Sequence, residues 1–272
     1  MLSRIFFYRS FTIALVVLVS AFGKVKADDV LSQTVARYTV YMHGLRAMYL
    51  DVTYSDSHLR YIAAVQGKTV GLIGLFLSGN LSMHAEGNIT DRGFVKPETF
   101  TFSDDFHHRE QQLQMVYKKD VPVVVKENPH DIGREVITSQ ERTGAVDMLA
   151  ALIEVLEQVK ITHRCAEING LLFDGRRLST LQVHAPQQNM PLSVDVLNVP
   201  GKETLRCDFV LHQIRGFMPS EPGKPSKLHQ LQPGYIWFQN IPTMGVVVSR
   251  LELQHPKMGR IVLVLRKYHH KH

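Results

Sequence analysis

In Phe173-Asp174-Gly175-Arg176-Arg177, two arginines follow an Asp-Gly pair, an arrangement that could grip an anion. A guanidinium is a planar fork of N–H donors that matches a carboxylate or phosphate in geometry and charge. On that reading Asp174 orients one guanidinium while Arg176 and Arg177 take up a carboxylate, a phosphate or a sugar acid. The competing reading follows from turn chemistry: Asp174 orders the turn and the arginines pair with acids on a neighbouring strand. Trp237, the one tryptophan, could line a binding cavity. In Tyr235-Ile236-Trp237-Phe238 it also reads as one side chain of an alternating strand.

Other reactive types lack the spacing their chemistry needs. The sequence has no G-x-S-x-G elbow, H-E-x-x-H pair, calcium-binding loop or S-x-x-K element, so no catalytic residue is assigned and the chain is not expected to be an enzyme. Fourteen histidines invite a metal. Yet His107 and His108 would face opposite sides of a strand, and His269, His270 and His272 on a loose tail would fix no coordination geometry. No metal and no cofactor are therefore expected. Asp104, Asp105 and Glu110 read as a solvated turn rather than as acid and base. Gly67-Lys68-Thr69 has the ending of a phosphate-binding loop, but Ile62 stands where that loop needs its first glycine, and the following Val70-Gly71-Leu72-Ile73-Gly74 is broken by glycines. Asn88-Ile89-Thr90 would be a glycosylation sequon only in a eukaryotic host, which we do not expect.

The elements that must position these residues are mainly strands. Period-two alternation runs from Val35 to Ala63, with His43-Gly44 as a turn between two runs. Further strands are predicted at Leu72–Leu77, Leu81–Glu86, Lys96–Ser103, Gln111–Tyr117 and Val121–Lys126. After Asp147 the spacing changes. Met148, Leu149, Leu152, Ile153, Val155, Leu156 and Val159 recur with helical periodicity, giving a helix near 145–159 capped by Thr143 or Asp147, with Glu154 and Glu157 toward its polar side. That apolar face is read as packing on the sheet rather than lying on a membrane. Strands resume at Leu178–His184, Leu192–Val199, Thr204–Gln213, Tyr235–Gln239, Val246–Gln254 and Arg260–Arg266. A Pro/Gly/Ser/Lys-rich loop lies near 218–233, and a loose His-rich segment ends the chain. The fold class is mainly β, a curved antiparallel sheet or partly closed half-barrel with one amphipathic helix packed against it.

The N-terminus sets the expected compartment. Arg4 and Arg9 precede an apolar run from Phe11 to Phe22, and Val25-Lys26-Ala27 offers a small-residue exit before Asp28, with Gly23 as a second one. That is the layout of a secretory signal, and the run is shorter than the roughly 20 residues of a membrane span. A retained anchor is the alternative. Residues 1–27 carry Arg4, Arg9, Lys24 and Lys26 and no acid, so without them the formal charge of +6 falls to +2. A near-neutral exported chain gives no reason to expect a nucleic-acid partner. Cleavage between Ala27 and Asp28 leaves a single β-rich domain, 28–272, with no transmembrane segment. Cys165 and Cys207, the only cysteines, would pair as a disulfide in an oxidising compartment, with two buried thiols as the alternative.

A string of spaced motifs supports a resemblance. Cys165, Phe173-Asp-Gly-Arg-Arg177, Leu205-Arg-Cys207, Ile214-Arg-Gly-Phe217, Ile236-Trp-Phe238 and Tyr268 follow one another in an order that resembles the domain of unknown function 3108 family. Tyr38…Gly44, Gly71-Leu-Ile-Gly74 and the Asp147 helix fit the same string. The resemblance implies a periplasmic or envelope protein of a diderm bacterium, with a curved sheet and a helix, similar in outline to lipoprotein-carrier half-barrels. It implies no catalytic residue. The expected function is binding of an apolar or amphiphilic envelope ligand in the curved sheet, with Phe76, Met83, Met115 and Trp237 as candidate liners. The alternatives are an envelope assembly or scaffold protein acting through a lipoprotein or other protein partner, and a hydrolase of envelope glycan or lipid.

Overall fold

The structure is a computed structural model and describes residues 32–57, 59–76, 78–106, 109–186, 204–219, 227–242 and 244–271. The proposed signal, residues 1–27, and the predicted strand Leu192–Val199 lie outside the described residues.

Seven strands build the first half of a single 14-stranded sheet. They are β1 (Ser32–Met42), β2 (Leu45–Ser57), β3 (Arg60–Thr69), β4 (Asn80–Ile89), β5 (Val95–Asp104), β6 (Gln111–Lys118) and β7 (Val121–Asn128). A one-turn helix, α1 (Gly71–Phe76), joins β3 to β4. The second half comprises β8 (Ala145–Val146), the helix α2 (Met148–Thr162), β9 (Ile168–Phe173), β10 (Leu178–His184), β11 (Thr204–Arg215), β12 (Gln232–Ile241), β13 (Gly245–His255) and β14 (Gly259–Lys271). Neighbours pair antiparallel, β14 returns to β1, and β8 joins β9 in parallel. The strand order ends at β7 on one side and β8 on the other, so the barrel is nearly closed, with one unsealed seam. Gly144 N–H donates to the Asp120 carbonyl across that seam.

Alternation along each strand decides what fills the interior. On β3, Tyr61, Ala63 and Val65 are buried, and their cross-strand partners Asp56, Tyr54 and Val52 share that inner face. On the facing wall, Cys207 and Phe209 of β11 and Ile236 and Phe238 of β12 point inward. Helix α2 runs between the two walls. Leu149, Ala150 and Ile153 join the cluster built on β1 to β6, while Ala151, Val155 and Val159 join the one built on β10 to β12. A helix buried on opposite sides fits an interior position better than a sheet's outer surface.

The expected class, mainly β with a curved antiparallel sheet or partly closed half-barrel and one helix packed against it, is the observed one, with the sheet curling further into a nearly closed barrel. Several expectations within it are corrected. The predicted strand Leu72–Leu77 is α1 instead, because Gly71 turns the chain at φ +67° and Gly74 N–H then bonds back to the Val70 carbonyl. Lys68 sits in β3 paired with Asn80, so Gly67–Thr69 is extended and forms no phosphate loop even though a short helix follows. The polar side assigned to Glu154 and Glu157 faces protein, as described below. The backbone of β14 continues to Lys271, so His269 and His270 belong to a strand paired with β1 rather than to a loose tail. Strands β8 and β9 are absent from the expected set, the first because two residues carry no periodicity. The loop near 218–233 gives way to β12 at Gln232.

Candidate functional site

Residues 174–177 form the turn between β9 and β10, at the end of the barrel that also carries the β1–β2 and β13–β14 turns. Asp174 organises it. Its Oδ1 accepts from the backbone N–H groups of Arg176 and Arg177, and its Oδ2 accepts from Arg177 Nε at 2.7 Å. Gly175 holds φ +90°, and a Cβ there would lie 2.4 Å from a Leu113 methyl, so both the backbone and the close approach to β6 demand glycine.

The two arginines take different parts. Arg176 is committed to closing the seam: its Nε donates to Glu127 Oε1 at 2.8 Å, Nη1 to Gln111 and Nη2 to the Pro129 carbonyl. Arg177 is bound only through its Asp174 pair, is about half exposed, and has no other partner for its remaining N–H donors among the described residues. The sequence left anion gripping and strand pairing open for both arginines. The pairing reading describes Arg176, whereas Arg177 has N–H donors left over beyond its Asp174 pair.

Below this turn the barrel mouth opens into a depression of about 140 Å³. Phe100 and Phe102 of β5, Leu113 of β6 and Met148 at the start of α2 supply its apolar wall, and Gln111, Gln112, Asp174, Arg176 and Arg177 its polar rim. Alternation in β5 and β6 already marks Phe100, Phe102 and Leu113 as same-face residues. No sequence signal brings the β9–β10 turn and the helix start to that face, because the Arg176 contacts that hold the turn there join residues 47 to 65 positions apart. His255 at the end of β13 stands near Arg177; burial, Arg177 and Lys257 all lower its pKa.

Deeper in, α2 brings carboxylates into the barrel. Asp147 is its N-cap, accepting from the N–H groups of Leu149 and Ala150 and from the Tyr117 hydroxyl on β6. Burial pushes the Asp147 carboxyl up to about 6 against the pull of those hydrogen bonds. Glu154 accepts from Val95 N–H on β5, and burial raises its pKa as well. Glu157 accepts from the Tyr54 hydroxyl at 2.8 Å, and Lys160 bridges Glu157 and Asp56. These groups tie the helix to the wall. They do not converge on a cleft, and among the described residues no group of three His, Cys, Asp or Glu side chains could hold a metal.

Trp237 lies elsewhere. Its register partner on β13 is Arg250, on the face opposite Ile236 and Phe238, and its ring contacts Tyr235 and the Arg250 guanidinium. Of the other expected liners, Met115 is fully buried in the core and Met83 packs against that core from β4, so neither opens to the mouth. Cys165 and Cys207 form a disulfide that ties the chain just after α2 to β11.

No family model and no curated protein matches this chain. A search of solved structures found the crystal structure of a β-barrel-like protein of domain of unknown function 1849 from Brucella abortus. The two share 11% identity over 89% of this chain and 98% of that one, with a TM-score of 0.42. The likeness is distant and partial, to a family of unknown function other than the 3108 family, and nothing further is transferred from it. Among the described residues no helix is long and apolar enough to cross a membrane.

Proposed function

We propose that this is an exported, non-enzymatic protein of the cell envelope that holds a small acidic amphiphile at the mouth of its barrel. Export rests on the basic, apolar and small-residue order of residues 1–27, and the periplasm is the compartment in which the Cys165–Cys207 disulfide would persist. The motif string resembling the 3108 family points to the same compartment. The observation that carries the binding reading is the pairing, at one opening, of an apolar wall from Phe100, Phe102, Leu113 and Met148 with the unspent donors of Arg177. An anionic head group would meet Arg177, and the first carbons of its chain would meet the wall.

The interior narrows the ligand. With α2 between the walls, the barrel offers no open concave sheet for a whole lipid chain. A depression of about 140 Å³ is small beside the roughly 300–1,000 Å³ of sites that engulf a drug-sized ligand. The site suits an end-on grip. Assembly through β7 is less well supported, because that free edge is blunted by Pro122, by a bulge at Gln114/Met115 and by the exposed Lys126.

Titration with dodecanoate, dodecyl phosphate and dodecanol separates these readings. Both anions are expected to bind and to shift the NMR signals of Phe102 and Met148, dodecanol to bind more weakly, and R177A to lose about tenfold in affinity for the anions. Absence of binding by either anion would sink the reading. Recovery of the chain from the periplasm with its N-terminus at Asp28 tests the compartment, and a cytoplasmic, full-length product would overturn it.

A further inference from the structure

The barrel end opposite the mouth carries a second unassigned feature. Three apolar side chains stand out into solvent there: Leu59 in the β2–β3 turn at 61% exposure, Phe94 in the β4–β5 turn at 50%, and Ile161 in the last turn of α2 at 51%. They are neighbours rather than scattered residues. Ile89 N–H donates to the Leu59 carbonyl, Thr90 N–H to the Phe94 carbonyl, and Gly93 packs so closely on Ile161 that a Cβ would lie 2.9 Å from its Cδ1. Gln158 adds a hydrogen bond to the Arg92 carbonyl that fixes the helix end to this turn. The tip is therefore held in place by the fold and is not a loop that can tuck its apolar residues away.

The charges around the tip divide into two sets. Arg60 is paired with Glu86 and Glu98, and Lys160 with Asp56 and Glu157. Arg92, beside Phe94, and Arg164, just past Ile161, are exposed and make no ion pair among the described residues, and Asp91 is an exposed acid in the same turn as Arg92. An apolar tip flanked by two guanidinium groups that outnumber this one exposed acid is complementary to an anionic lipid surface: side chains enter the interface while cations meet head groups.

We infer that this helix-exit end of the barrel is a docking face for an anionic bilayer surface, with Leu59, Phe94 and Ile161 as the inserted residues and Arg92 and Arg164 as the head-group contacts. The mouth at Arg177 then points away from the bilayer, toward ligands in solution.

The test places a reporter on the tip. The full chain is expressed with its own N-terminal residues, purified from the envelope, and compared with F94W on vesicles of phosphatidylethanolamine and phosphatidylglycerol carrying brominated acyl chains. Trp237 is buried, so parent fluorescence is expected to change little. F94W emission is expected to shift to the blue and lose at least about half its intensity. R92A/R164A in the F94W background should raise the vesicle concentration for half-maximal quenching about thirtyfold, and phosphatidylcholine vesicles should give a comparable loss. L59S/I161S in that background should weaken quenching at least about tenfold. Because quenching is read at position 94, a retained apolar run cannot imitate the result. F94W emission that stays unquenched on anionic vesicles, or quenching that neither pair of substitutions alters, overturns the inference. Circular dichroism melts confirm that the exposed-site variants fold.

Discussion

Arg176 and Arg177 are adjacent in sequence and separable in effect. R176A removes donors to Glu127, Gln111 and the Pro129 carbonyl and leaves the poorly exposed Glu127 carboxylate without its partner across the seam. A loss of about 2–3 kcal/mol is expected in urea unfolding. R177A breaks one half-exposed pair and should cost less than about 1 kcal/mol while removing anion binding. Equal destabilisation by both would contradict this division. Asp147 gives a pH signature. Its carboxyl titrates at about 6 in the folded chain against a usual 3.8, so the folded state holds its proton more tightly. The stability from that proton is complete below about pH 3.8 and is lost as pH rises through about 6. D147N keeps a capping oxygen but cannot ionise. Its stability relative to the parent should therefore rise between those pH values, by at most about 1.4 kcal/mol per pH unit, and level off above. D147A, which loses the cap, should cost about 1 kcal/mol. Chemical denaturation from pH 4 to pH 8 reads both, and a flat D147N difference would remove the ionisation argument.

The helix shows how far local pattern reaches. The presence of a helix and Asp147 as one of two candidate caps were legible from apolar spacing and the capping residue, because both depend on neighbours within one or two turns, although the helix runs over Met148–Thr162 rather than 145–159. What its polar side meets was not legible. Glu154 and Glu157 look like a solvated stripe, yet they find Val95 N–H and Tyr54 on strands that precede them by about 60 and 100 residues. Hydrophobic periodicity shows that a residue type is polar; it cannot show that a distant tyrosine waits for it. The same limit applies to the mouth, where the Asp-Gly turn was readable and its approach to Leu113 was not. At α1 the error was of another kind, since an apolar stretch this short does not distinguish a strand from a helical turn, and the positive φ of Gly71 decides it. If α2 is anchored by its polar side, E157A and Y54F should each lose about 1–2 kcal/mol. Their double-mutant cycle should give a coupling of about 1 kcal/mol. A coupling near zero would mean that apolar packing alone holds the helix.

At the scale of the whole molecule, the antiparallel class and most strands were visible as alternation punctuated by turns, but the closure of β14 on β1 and the entry of α2 between the walls were not. Closure joins the two ends of the described chain, and sequence pattern gives no measure of that distance. A barrel with one open seam and an interior helix depends on whatever keeps the helix seated, and the disulfide is the covalent part of that restraint. Cys165 follows α2 directly and Cys207 lies on the inner face of β11, so the bond fixes the helix exit to the wall while Asp147 and Tyr117 fix its start. Joining residues 42 positions apart removes unfolded-chain entropy worth about 4 kcal/mol in the loop-closure model. C165S/C207S should accordingly lower the thermal midpoint by about 10 °C, and the parent should show a comparable fall in reductant. Hydrogen exchange distinguishes a general loss from a local one. Without the bond, amides in the last turns of α2 should exchange faster relative to those of β1 to β3. Uniform acceleration across helix and strands would show instead that the bond acts only on the unfolded chain and that the polar contacts alone suffice to seat the helix.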